Sequence, residues 1–189
     1  LQPLERDFYR RDTLIVAREL LGKRLVRGLD GTRLSGFITE VEAYIGQEDS
    51  ACHASRGRTP RNAVMYGPPS RAYIYLIYGL HHCLNVVTGT EGFPAAVLIR
   101  ALEPEEGLEL MRQHRPGRSD GELSDGPGKL CQALRIDRAL NGADLSVVGP
   151  LYIAAGKPVG EEQVVRAPRI GIDYAAEKDR NAPWRLYVK

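Results

Sequence analysis

The chain of 189 residues is 43% hydrophobic and 26% charged, which suits one folded domain and excludes global disorder or low complexity. A net charge of +2 does not by itself imply nucleic acid, because many metabolic enzymes carry the same balance. No apolar run reaches the length of a membrane span, and no basic start leads into a secretory hydrophobic stretch.

The first residue is Leu1, which suggests that starting residues are missing or removed. Asp12 can cap a helix whose apolar positions Leu14, Ala17 and Leu21 recur at helical spacing, with Gly22 closing it. Residues 23–27 and 33–44 read as strands joined by "GLDGT", whose Asp-Gly is a hairpin signal. Residues 45–70 form a long polar loop, and loops of that length in a compact domain usually serve function or are disordered. A second hairpin, "YIYLIYGLHHCLN", and a buried strand, "AAVLIRALEP", follow. Pro104 is expected to end that strand, with a helix beginning over 105–114. "RPGRSDGELSDG" reads as a second mobile loop, and Pro127 in "GPGKLCQAL" suits the first turn of a helix. The last third, through "VVRAPRIGID" to "WRLYVK", reads as short strands around turns. Strands mixed with a few helices, without a βαβ rhythm, predict a single α+β domain over 1–189. No Gly-rich phosphate loop is present.

Three segments could carry chemistry. In "ITEVEAY", strand alternation puts Glu40, Glu42 and Tyr44 on one face, the two carboxylates roughly 6–7 Å apart. Like charges so placed disfavour joint ionisation, so one could have a raised pKa and act as a base on a trapped water. An exposed strand face paired to nearby Arg is the plainer reading. In "CHASRGRTPRN", Arg56, Arg58 and Arg61 with Thr59 and Asn62 make a compact set of phosphate donors, or else a solvated basic loop. The basic residues are mostly Arg, which suits bidentate phosphate binding but can also follow genomic base composition. In the hairpin, Tyr73, Tyr75 and Ile77 share one face and Ile74, Leu76 and Tyr78 the other. Its tip, Ile-Tyr-Gly-Leu, is too apolar for a water-facing turn. It could wedge between base steps, or pack on another loop or a second copy. His53 stands alone, and adjacent His81 and His82 point to opposite faces. Cys52, Cys83 and Cys131 are odd in number and widely spaced, which predicts reduced thiols in a cytosolic protein, and no metal site is expected.

Taken together, a base, a phosphate-binding loop and an aromatic wedge within residues 40–100 are what an enzyme needs to extrude a nucleotide and hydrolyse its base–sugar bond. The motifs "TEVEAYIGQEDSACHASRGRTPRN", "YIYLIYGLHHCLNVV", "AAVLIRALEP" and "GPGKLCQAL" closely resemble the alkyladenine (3-methyladenine) DNA glycosylases of the mammalian type, in family order and through to the terminal "LYVK". That resemblance implies a curved, mainly antiparallel sheet with flanking helices and a protruding β-hairpin, acting without cofactor as a monomer on duplex DNA containing damaged purines. It assigns Glu42 as general base, with Arg100 and a backbone carbonyl near Ile170 holding the water. Tyr44 and His53 would sandwich the flipped base from one side and Tyr75 from the other, above Asn85 at the pocket floor. Tyr78 would enter the minor groove with Leu80 beside it, and Arg58, Thr59, Arg61 and Lys129 would grip phosphates. Without an amine nucleophile, the implied enzyme is monofunctional and leaves an abasic site. The 86–99 loop region looks slightly longer than in the mammalian form. A non-catalytic nucleic-acid-binding module of similar sheet architecture, and an inverting carbohydrate hydrolase using Glu40 and Glu42, are the alternatives.

Overall fold

The computed structural model describes residues 1–189. A short helical turn, α1 (Arg6–Tyr9), leads to helix α2 (Thr13–Leu20). Asp12 caps α2 as expected, its carboxylate accepting from the Leu14 and Ile15 amides at 2.9 and 3.2 Å. Val16, Ala17 and Leu20 form its buried stripe. The chain then reverses at Gly22, where φ is +81° and a Cβ would lie 2.3 Å from the Lys157 carbonyl oxygen. Both conditions require glycine.

Strands β1 (Arg24–Leu29) and β2 (Thr32–Ile45) form the first hairpin, turning on Asp30 and Gly31 with φ of 49° and 78°. The second hairpin is β3 (Ala72–Ile77) and β4 (His81–Val87), followed by the long β5 (Ala95–Glu106). Helices α3 (Leu108–His114) and α4 (Pro127–Ala133) come next, α4 with its proline in the first turn. The chain ends with β6 (Leu151–Ala154), β7 (Val164–Ala167), a helical turn α5 (Glu177–Arg180) and β8 (Arg185–Val188). The eight strands make one open antiparallel sheet of order β3-β4-β5-β2-β1-β6, with β8 joined to both β2 and β7. An α+β fold is therefore observed. Strand β2 is its axis, pairing with β5 along one edge and with β1, then β8, along the other.

Period-two alternation gives the sheet two different faces. Val41, Ala43, Ile74, Leu84, Val86, Val97 and Ile99 join α2, α3 and α4 in a core of 29 buried residues. Their strand neighbours point the other way. There Tyr73, Val87 and Ala96 pack with Cys52, Ala54 and Met65 from the long loop, making a second cluster of six. The 45–70 loop is thus folded onto the face opposite the helices.

Two expectations need correction. Strand β5 runs past Pro104 to Glu106. Pro104 is tolerated because it pairs with Gly36 at a register shift, beyond the stretch of β5 that β4 covers. The 115–126 segment, expected to be mobile, is pinned. Leu123 is wholly buried, and the Ser124 carbonyl accepts from the Leu102 amide at 3.0 Å while the Ser124 hydroxyl donates to the Leu102 carbonyl at 2.9 Å. Ser119 and Glu122 close a capping box around the turn before it.

Candidate active site

The second face of the sheet carries a cavity of about 320 Å³, within the size range of small-molecule sites. Four strands supply its floor by alternation: Tyr44 from β2, Leu98 and Arg100 from β5, Asn85 and Cys83 from β4, and Tyr73 and Tyr75 from β3. Glu42 lies on the same face and is fully buried.

Glu42 is held from three directions. The Tyr44 hydroxyl donates to Oε2 at 2.8 Å, the Ile170 amide donates to Oε1 at 2.8 Å, and the Arg100 guanidinium lies 3.3 Å from Oε2. A carboxylate has about four lone-pair sites, so one remains for a water. The Ile170 N–H thus faces the Glu42 carboxylate. Glu40 is engaged elsewhere: Arg100 Nε and Arg185 each donate to its Oε1 at 3.0 Å. Arg100 therefore bridges both carboxylates from one side, an arrangement that cannot place them across a sugar as an inverting hydrolase needs.

The aromatic walls differ from the expected grouping. His53 stands beside Tyr75, their ring centroids 4.5 Å apart and 69° between planes, and its Nδ1 is 2.8 Å from the Tyr73 hydroxyl. Tyr44 makes no ring pair with His53, the residue expected on its side of the base. Two rings in edge contact cannot enclose a base between them. Burial, and then the nearby Arg61 charge, push the His53 imidazole below its ordinary pKa, favouring the neutral ring. Burial, followed by the neighbouring Glu42 charge, raises the Tyr44 phenol and keeps it a donor. Asn85 is buried, its Nδ2 donating to the Tyr73 carbonyl at 3.1 Å across the β3–β4 ladder.

Tyr78 lies at the mouth, 86% exposed, with Leu80 at 76%. Simple alternation put Tyr78 on the far side, but it belongs to the turn. There φ is 53° at Tyr78 and 67° at Gly79, and the Leu80 amide bonds to the Ile77 carbonyl. That left-handed pair turns the tyrosine towards the cavity rim. A bulky residue in this region is uncommon and locally strained.

The basic loop is shaped by Asn62, which points inward instead of serving as a surface donor. Its Nδ2 donates to the His53 and Gly57 carbonyls at 2.9 Å each, and its Oδ1 accepts from the Thr59 amide at 2.7 Å. Thr59 Oγ1 accepts from the Asn62 amide at 3.3 Å, closing the turn. Arg58 stacks over Tyr66 and Arg61 over Tyr75, at 5.5 and 5.3 Å from the ring centres. Arg56, Arg58 and Arg61 have no acidic partner, which leaves unneutralised charge beside the cavity. Lys129 is paired to Asp125 at 2.9 Å one turn earlier. No three His, Cys, Asp or Glu side chains are grouped to hold a metal, and all three cysteines are free and buried.

Over residues 7–189 the chain matches the model of the methylpurine-DNA glycosylase family. The chain belongs to that family. It is 57% identical to a "Putative 3-methyladenine DNA glycosylase" of Methanocella arvoryzae, covering 98% of this chain and 92% of the relative. Relatives of the same name from Carboxydothermus hydrogenoformans and Desulfitobacterium hafniense are 54% and 50% identical, over 98% and 100% of this chain and 95% and 96% of theirs. Membership makes the chain a DNA glycosylase of base-excision repair. No helix is long and apolar enough to cross a membrane.

One residue at this glycosylase-family site escaped the sequence reading. Arg169, immediately before Ile170, is fully buried and bound to both oxygens of Asp49 at 2.7 and 2.8 Å. It also donates to the Ala43 and Asp179 carbonyls, at 2.9 and 3.2 Å. Its guanidinium carbon lies 4.8 Å from the Tyr44 ring centre and 4.9 Å from that of Trp184. A buried arginine in a strand-poor segment gave no periodic pattern, and its partner Asp49 lies 120 residues away.

Proposed function

We propose that this enzyme flips damaged purines from duplex DNA into the aromatic cavity and hydrolyses the N-glycosidic bond, leaving an abasic site. The observation that carries the reading is the fully buried Glu42 carboxylate beside an aromatic-lined cavity, with an exposed tyrosine at its mouth. Water bound to Glu42 attacks the sugar C1′ while the carboxylate takes its proton. The glycosidic electron pair leaves with the base. A purine alkylated at N3 or N7 departs as a neutral molecule, because its ring already carries the charge. A neutral base such as hypoxanthine or ethenoadenine must gain a proton or strong hydrogen bonds as it leaves.

Tyr44 faces one side of the base, and His53 with Tyr75 the other, over Asn85. Arg100 and the Ile170 amide hold Glu42 in place for the water. Tyr78, with Leu80 beside it, fills the space the nucleotide vacates, while Arg58, Thr59, Arg61 and Lys129 hold phosphates. Lys129 must exchange Asp125 for a phosphate to do so. The enzyme acts in the cytoplasm as a monomer of one domain, without cofactor. The 3-methyladenine in its relatives' names belongs to the same class of cationic purine leaving groups. Chromatography of the supernatant after incubation with methylated duplex DNA tests the reading: free 3-methyladenine and 7-methylguanine are expected. Tight binding without release of any base would replace it with a non-catalytic DNA-binding role.

A further inference from the structure

The stack behind Tyr44 has a consequence for which bases the cavity accepts. Tyr44 lines the cavity, and the Arg169 guanidinium, which does not, is packed over the ring 4.8 Å from its centre. The cation is held in a three-layer stack, Tyr44–Arg169–Trp184, and its side chain has no exposed surface. Asp49 neutralises it, and Asp49 in turn accepts the Ile45 and Ala51 amides at 3.1 Å each. Its Nη1 and Nη2 make four hydrogen bonds, and the Nε atom is buried without a partner.

We infer that Arg169 is a positioning residue that sets lesion preference through Tyr44, its cation on the back of the ring weakening the ring's attraction for cationic bases. The inference rests on the glycosylase reading and deepens it. An aromatic face attracts cations through its quadrupole, and a cation on the opposite face opposes that attraction. Neutral purines stack by dispersion and area, which the back-side charge affects far less. The cavity therefore does not favour cationic bases as strongly as its three tyrosines would suggest. The charge acts through low-dielectric protein, where it is poorly screened. Asp49 limits the effect by opposing Arg169 from beyond the stack.

The test compares single-turnover excision of 7-methylguanine, a cation, with that of hypoxanthine, a neutral base, in one duplex context. Three variants accompany the wild type. Arg169→Gln with Asp49→Asn removes both charges and leaves no lone buried ion. Its cationic-to-neutral rate ratio should rise about three- to tenfold. Asp49→Asn alone unmasks Arg169 but sets an amide NH2 against the donors that Asp49 accepts from. Its rates are read only at a temperature where circular dichroism shows it folded, and its ratio should then fall. Arg169→Lys retains the charge without the planar fork, and should lose rate on both substrates while keeping the wild-type ratio. Rates that decline together in every variant, with ratios unchanged, would overturn the inference and reduce Arg169 to a structural brace. A wild type that excises neither base would instead overturn the glycosylase reading itself.

Discussion

Glu42 and Tyr78 are the residues on which the account turns, and they differ in how the fold holds them. Glu42 is buried and bonded on three sides, so its replacement tests chemistry against stability directly. Tyr78 touches little of the protein and occupies a left-handed backbone conformation. Tyr78→Ala should leave the melting temperature within about 2 °C of wild type, since exposed substitutions seldom cost more than about 0.5 kcal/mol. The same variant should lose most of the fluorescence rise of a 2-aminopurine placed beside the lesion. A clear loss of thermal stability would mean that the tyrosine packs against the protein instead.

At the level of elements, alternation was the most legible property of the sequence. It put Glu40, Glu42 and Tyr44 on one face, and Tyr73 with Tyr75 on one face, as observed. It misplaced Tyr78 because a turn with positive φ does not continue the strand's period. It ended β5 at Pro104 because a bulge, which makes the proline harmless, leaves no mark in one strand's own residues. The pinned 115–126 segment was hidden for a related reason: a single buried leucine gives no periodicity. Leu123→Ala should cost about 2–5 kcal/mol, seen as a melting temperature lower by at least about 4 °C, with the excision rate at 25 °C little changed. The 45–70 loop reads as polar, yet Asn62 and Asp49 fold it through hydrogen bonds that composition alone does not reveal. Arg58 in that loop has no acidic partner. Arg58→Ala should therefore lower the slope of log Kd against log salt for duplex DNA by about 0.9. An unchanged slope would remove Arg58 from the phosphate contacts.

The whole molecule joins distant segments through ion pairs as well as its core. Asp144 binds Ser70, Ser146 and Arg6, tying the start of the chain to the beginning of β3. Burial opposes its ionisation, but hydrogen bonds from Ser146 and Ser70 and the charge of Arg6 outweigh that and hold its pKa at about 2. A carboxylate depressed on folding stabilises the native state above its unfolded pKa and loses that contribution as pH falls through the folded value. Asp144→Asn should thus be less stable by about 2 kcal/mol at pH 7, and the difference should vanish between about pH 4 and pH 2. Denaturant titrations across that range read the effect directly, and a difference constant with pH would refute it. The family was legible in the sequence because its site lies in contiguous motifs from residue 38 to 100. Arg169 was not, because its contact with Asp49, 120 residues away, exists only once the sheet has assembled.

The central claim is that Glu42 drives base release by activating water. Single-turnover reactions on a duplex carrying one hypoxanthine, run for wild type and Glu42→Gln with and without alkali, test it most directly. The account predicts strand breaks only after alkali with wild type, and a rate about 10²–10⁴-fold lower with Glu42→Gln despite undiminished DNA binding. A Glu42→Gln enzyme that excises the base within tenfold of the wild-type rate would contradict it.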